Sequence, residues 1–127
     1  MPKDGDIIKA HSVAVVSGWG RIAQNGPATK KLQRATIYIA DQSYCENVYE
    51  SIYQRIFSSH VCAHHPAVEK GACNGDSGGP LMVDGKLAGV VSWSLGCGLS
   101  DYPTVYTRVP SFVGWIELTI WLQSLKQ

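Results

Sequence analysis

The sequence predicts an all-β domain, a small antiparallel barrel of about six strands followed by a terminal α-helix. Three observations carry this expectation. Short β-branched and apolar runs recur along the chain with turn residues between them. Asp84-Gly85, the favoured two-residue hairpin turn, separates two of those runs. Near the end, Phe112, Trp115, Ile116, Thr119 and Ile120 recur at helical spacing.

Taken in order, Met1 to Ala10 reads as an irregular, linker-like lead-in. Val13 to Val16 is a β-branched run, a strand that ends in Ser17-Gly18-Trp19-Gly20. Gln24-Asn25-Gly26-Pro27 has the chemistry of a loop. Leu32 to Ala40 predicts a strand centred on Thr36, Ile37, Tyr38 and Ile39. Asp41 to Glu46 reads as a helix start, with Ser43 and Glu46 at capping-box spacing. The helix is short, because Ser51 to Ser59 keeps no period. Phe57 to Ala63 includes a short strand carrying Cys62, and His64 to Ala72 forms a loop. Pro80 to Val83 and Lys86 to Trp93 are the two arms of the Asp84-Gly85 hairpin. Leu95 to Tyr102 is a loop holding Cys97, and Thr104 to Val109 is the last strand. Ser111 is the expected N-cap of the terminal helix, which packs on the outside of the barrel.

The 127 residues suffice for one domain, residues 1–127, with a real core. No run of about 18 uncharged apolar residues is present, so no segment predicts a membrane-spanning helix. Eleven Lys and Arg nearly balance ten Asp and Glu, which argues against nucleic acid or a membrane surface as the main partner. The four cysteines, Cys45, Cys62, Cys73 and Cys97, form no C-x-x-C pair, and their number leaves the pairing open. An even count in a glycine-rich β chain points to disulfides and an oxidising compartment. Met1-Pro2-Lys3-Asp4-Gly5-Asp6 is polar and turn-like, unlike a secretory signal. The two features agree if the chain is the C-terminal part of a longer secreted protein.

The stretch richest in chemistry is Gly75-Asp76-Ser77-Gly78-Gly79, closed by Pro80. Glycines on both sides of a serine let main-chain N–H groups approach a ligand closely. Two such groups beside one hydroxyl make an oxyanion hole next to a nucleophile. A Gly-Asp-Ser triplet alone would be a glycine-rich turn with an incidental serine.

Four stretches in order carry a specific resemblance. They are Ser17-Gly18-Trp19-Gly20; Cys73-Asn74-Gly75-Asp76-Ser77-Gly78-Gly79-Pro80-Leu81; Val91-Ser92-Trp93; and Tyr102-Pro103-Thr104-Val105-Tyr106-Thr107-Arg108-Val109. The closing Trp115-Ile116 helix agrees with them. Over nearly its whole length the chain resembles the second barrel of a chymotrypsin-like serine protease of the trypsin family. The resemblance implies a six-stranded antiparallel Greek-key barrel with a C-terminal helix, and a serine endopeptidase that works through an acyl-enzyme.

It implies residue roles as well. Ser77 would be the nucleophile, and the N–H groups of Gly75 and Ser77 the oxyanion hole. Asp76 would accept the ammonium group freed by zymogen cleavage; as a bare turn residue it would only cap the loop. Ser92 would support the triad aspartate, and Ser92, Trp93 and Ser94 would pair with substrate backbone as an added strand. Gly71, Ala72 and Asn74 would join Ser94 and Thr104 around the substrate. The implied disulfides are Cys45–Cys62 and Cys73–Cys97. A further family disulfide falls at Ala14 and Val83 and is lost from both ends. The triad His and Asp belong to a first barrel that these residues do not contain, and His11, His60, His64 and His65 do not replace them. The fragment alone is therefore expected to be inactive, and apolar surface meant for the first barrel would favour self-association. Partners implied are polypeptide substrates, the first barrel and proteinaceous inhibitors, with no cofactor and an extracellular location.

Pocket chemistry follows from the same positions. By the same resemblance Gly71, six residues before Ser77, would sit at the pocket base and supply no carboxylate there. A Lys or Arg side chain would be buried there unpaired. The resemblance puts Ser94 and Thr104 on the walls, where they would narrow the pocket, so it looks elastase-like and would favour small or medium apolar residues. Asp101 could lean in and favour a basic group, although a solvated loop aspartate is the simpler reading.

Other readings compete. A protease relative of the same fold that binds without cutting would keep the barrel, but intact Ser77, Asp76 and glycines weigh against such decay. His60-x-Cys62-x-His64-His65 has metal-ligand residue types, yet Cys62 has a better partner in Cys45. A phosphate loop at Gly71 to Gly79 lacks the Lys that should follow its glycines.

Overall fold

The strand pattern closes on itself. The computed structural model describes residues 1–18, 32–67, 78–95 and 101–126. Six strands, β1 (Val13–Gly18), β2 (Gln33–Ile39), β3 (His60–His64), β4 (Pro80–Val83), β5 (Lys86–Trp93) and β6 (Thr104–Arg108), form a closed antiparallel barrel. Its order is β1-β2-β3-β6-β5-β4, so two three-stranded meanders join along β3–β6 and β1–β4. Closure removes the free sheet edges on which another strand would template.

Alternation decides what faces inward. Ala14 and Val16 of β1 pack with Ile37 and Ile39 of β2, Val61 and Ala63 of β3, Leu81 of β4, Val91 of β5 and Tyr106 of β6. Val83 is half-buried against this cluster with Ala14 in it, so the two positions of the absent disulfide lie in one apolar layer. The β4–β5 turn works because Asp84 and Gly85 both take positive φ, +51° and +74°, the geometry a tight hairpin needs.

A second cluster lies against the barrel. Helix α1 (Gln42–Glu50) buries Cys45 and Tyr49 with Ala40, Ile56, Cys62 and Val105. The Cys45–Cys62 disulfide fastens α1 to β3 across 17 residues, as the resemblance implied. Closing a loop of that length stabilises by about 3 kcal/mol. Arg108 adds a polar tie, donating from Nε to the His60 carbonyl at 3.0 Å and from its guanidinium to Gln42 Oε1 at 3.0 Å.

Four details depart from the sequence reading. The cap of α1 is Asp41, two residues earlier than the Ser43 of a Ser43–Glu46 box: Asp41 Oδ1 accepts from the N–H groups of Ser43 (3.0 Å) and Tyr44 (3.3 Å) and from the Ser43 hydroxyl (2.7 Å). His64 ends β3 instead of opening a loop. Ser111 does not cap the last helix; Val109–Phe112 form a 3-10 turn with Pro110 at its start, and α2 (Val113–Ser124) begins after it with no side-chain cap. Only the beginning of α2 lies on the barrel: Val113 is buried and Ile116 half-buried, while Trp115, Leu118, Trp121, Leu122 and Leu125 are exposed. The lead-in is tied down as well, with the Gly5 N–H on the Pro110 carbonyl at 3.0 Å. No helix among the described residues is long and apolar enough to cross a membrane.

The Asp41 cap makes α1 acid-sensitive. The Ser43 hydroxyl foremost, then the Tyr44 N–H, hold its carboxyl below the ordinary carboxylate value. A lowered folded-state pKa gives stability that is present above the unfolded value and lost as pH falls through the folded one. We expect far-UV circular dichroism to show α1 fraying as pH drops below the ordinary carboxylate range. Asp41→Asn, which still caps without titrating, should remove that component, and an unchanged acid profile in this variant would contradict the assignment.

Candidate active site

Gly71, Ala72, Cys73, Asn74, Gly75, Asp76, Ser77 and Cys97 lie outside the described residues, as do Trp19 and Gly20. The residues that follow Ser77 are described, and so are Ser92, Trp93, Ser94 and Thr104.

The chain leaving Ser77 is fastened to the middle of β5. The Gly78 N–H donates to the Val91 carbonyl at 2.9 Å, and the Val91 N–H donates to the Gly79 carbonyl at 2.9 Å. Gly78 adopts φ +84°, a left-handed conformation that any side chain with a Cβ would strain. Pro80 then starts β4, pairing with Val90, and Leu81 is fully buried. Val91 itself is a core residue. The backbone immediately after Ser77 is thus anchored through one residue to the barrel interior.

Beyond Val91 the β5–β6 register shifts, so that Val91 faces Tyr106 and Trp93 faces Val105. Ser92 falls in this irregularity and is exposed. Bulges of this kind re-aim a side chain next to a site. Here the effect is to put Ser92 at the surface one residue beyond the bonds to Gly78 and Gly79.

Two segments come together behind Trp93. Thr104 opens β6, is 3% exposed and pairs with Ala63 of β3. Ser94, just past the end of β5, is half-buried. Tyr49 of α1 connects the two segments. Its hydroxyl donates to the Pro103 carbonyl at 2.5 Å, and its ring meets Trp93 edge-on at 4.9 Å and Tyr102 at 5.9 Å. Burial pushes the Tyr49 phenol above its ordinary value, opposed in part by a hydrogen bond from the Leu95 backbone. It remains protonated and donates. His60 also stands edge-on to Trp93, at 6.4 Å, and accepts the Phe57 N–H on Nδ1 at 3.0 Å. Burial lowers its pKa, which favours the neutral ring.

The metal reading loses its cysteine, because the Cys62 sulfur is bonded to Cys45. Asp101 is exposed and lines a surface cavity with Tyr38, Tyr44 and His64. Tyr49 was not among the residues singled out from sequence. A tyrosine four residues after Cys45 shares that cysteine's helix face, a signal that marks packing without distinguishing a strut from ordinary core.

Comparison with known proteins gives consistent matches. The family model described as Trypsin matches residues 1–116. A vitellin-degrading protease of Bombyx mori is 41% identical over 117 residues, covering 92% of this chain and 42% of the relative. Trypsin Blo t 3 of Blomia tropicalis is 39% identical over 119 residues, covering 92% of this chain and 45% of the relative. Among solved structures, neuropsin, a serine protease expressed in the limbic system of mouse brain, superposes with a TM-score of 0.84 at 32% identity. That match covers 93% of this chain and 52% of neuropsin. The chain spans about half the length of the relatives it matches.

The Tyr49 strut has a measurable consequence. Tyr49→Phe keeps the ring contacts but strands the Pro103 carbonyl. We expect a loss of about 1–2 kcal/mol in urea unfolding. Unfolding indistinguishable from wild type would show that the hydroxyl ties nothing.

Proposed function

We infer from a chain that belongs to the trypsin family of serine proteases that these residues are the nucleophile-bearing half of a serine endopeptidase. Ser77 Oγ attacks the scissile carbonyl, and its proton passes to a histidine supplied by a first barrel outside these residues. The resulting oxyanion accepts hydrogen bonds from the N–H groups of Gly75 and Ser77, each donor contributing about 3 kcal/mol of barrier stabilisation. Collapse of the intermediate expels the amine, which takes the histidine's proton, and water then releases the acyl group from Ser77. Asp76 receives the activation ammonium, and Cys73–Cys97 ties the nucleophile segment to the opposite pocket wall.

The single observation that supports this reading most is the pair of Val91 hydrogen bonds to Gly78 and Gly79. An oxyanion hole acts by being fixed before charge develops, and these bonds fix the main chain that leaves Ser77. The exposed Ser92 and the neighbouring Trp93 suit the role of an edge on which substrate backbone pairs. Polypeptide substrates, proteinaceous inhibitors and an extracellular location belong to the same proposal.

Preference for small or medium apolar residues rests on Gly71 at the pocket base and on Ser94 and Thr104 at its walls. Buried Thr104 supplies bulk and no charge. Discrimination should amount to about 1–3 kcal/mol per methylene. The complete enzyme should therefore hydrolyse Ala and Leu esters in preference to Arg esters, and Gly71→Asp should raise Arg turnover. Fast Arg hydrolysis by the unaltered enzyme would refute the pocket assignment. A folded complete protein that cleaves none of these esters would favour the non-cutting relative instead.

A further inference from the structure

Among the surface cavities outside the proposed chemistry, one is lined by rings and carboxylates together. It has a volume of about 620 Å³ and lies where the end of β2, the cap of α1 and the end of β3 meet. Tyr38, Tyr44 and His64 provide rings, and Asp41, Asp101 and His11 provide polar atoms. Tyr44 and His64 lie 5.9 Å apart between centroids at a tilt of 30°, making one continuous aromatic wall. Among the described residues no Lys or Arg lines the cavity.

His11 is held there in an uncommon conformation. Its φ is +69°, and the strand-like bonds around it fix it in place: its N–H donates to the Ile39 carbonyl at 2.7 Å, and the Ile39 N–H donates to the Ser12 carbonyl at 2.9 Å. A non-glycine residue kept at positive φ is a local cost retained against the grain of the backbone.

The lining narrows the ligand chemistry. Among the described lining residues an anion would meet two carboxylates and neither Lys nor Arg. A purely apolar group would desolvate those carboxylates without pairing them. Among the described residues no cluster of three metal-ligating side chains occurs, so a metal ion finds no shell. An organic cation on an aliphatic stem satisfies both halves, the stem on the rings and the charge beside Asp41 and Asp101. At about 620 Å³ the cavity exceeds what a lone alkylammonium fills, and leaves room for peptide backbone on either side of the stem. We propose that this cavity is a docking site for a Lys or Arg side chain of a polypeptide partner, separate from the proposed primary pocket and independent of the role of Ser77.

Calorimetric titration of the complete protein with three probes tests this: acetyl-Gly-Lys-Gly-amide, its norleucine counterpart and butylammonium. The lysine peptide should bind, with the norleucine peptide and butylammonium weaker by about threefold or more. Asp101→Asn, a change at an exposed position, should weaken the lysine peptide about threefold, and Tyr44→Ala should do likewise. Proton NMR should show the His64 ring resonances moving on addition of the lysine peptide to the unaltered complete protein, a readout that survives if Tyr44→Ala misfolds. Equal binding of the norleucine peptide would overturn the cation assignment, and butylammonium binding as tightly as the peptide would overturn the polypeptide. Unchanged affinity in folded Asp101→Asn together with unmoved His64 resonances would place the binding elsewhere and sink the site.

Discussion

The hydrogen bonds that Val91 exchanges with Gly78 and Gly79 are the constraint on which the proposed site depends. Val91 belongs to the barrel core, so its main chain cannot shift without repacking Ala14, Ile37, Leu81 and Tyr106. The segment that leaves Ser77 inherits that rigidity through two short bonds. The left-handed turn at Gly78 lets the chain make the first of these bonds and then run straight into β4. Barrel closure matters for the same reason. With β1 paired to β4 and β3 to β6, neither meander can slide against the other.

A second layer of support comes from outside the barrel. Helix α1 is fastened by Cys45–Cys62 and by the Asp41 cap, and it carries Tyr49 into contact with Trp93 and Pro103. The disulfide, the cap and the buried hydroxyl therefore hold α1 against Trp93 and Pro103. Each contributes modestly by itself. Together they fix the relation between the end of β5 and the start of β6, the segments that carry Ser94 and Thr104.

Much of the fold was legible because its signals are local. Asp84-Gly85 fixed the β4–β5 hairpin to the residue, since those residue types favour the positive φ the turn needs. The runs Val13–Val16 and Leu32–Ala40 marked the first two strands, and the structure then places Ala14, Val16, Ile37 and Ile39 in the core. Cap positions were less legible. Asp41 and Ser43 are both good caps, and choosing between them depends on where β2 releases the chain, at Ala40, whose N–H bonds to the Cys62 carbonyl. Ser111 failed as a cap because Pro110 starts a 3-10 turn that absorbs it. The extent of α2 on the barrel was hidden for a different reason. Its apolar residues occur on several faces, so its sequence does not say which face meets a partner. At the site, the residue types of the Gly75–Pro80 segment were readable. The Val91 bonds and the Tyr49 strut were not, because they join residues distant in sequence.

The most direct test of the central claim is covalent. The complete protein should be treated with a fluorophosphonate and its modified peptide located by mass spectrometry. A fixed amide cradle beside an activated serine predicts stoichiometric phosphonylation of Ser77 and of no other hydroxyl. Modification elsewhere, or a properly folded complete protein whose Ser77 stays unreacted, would contradict the account.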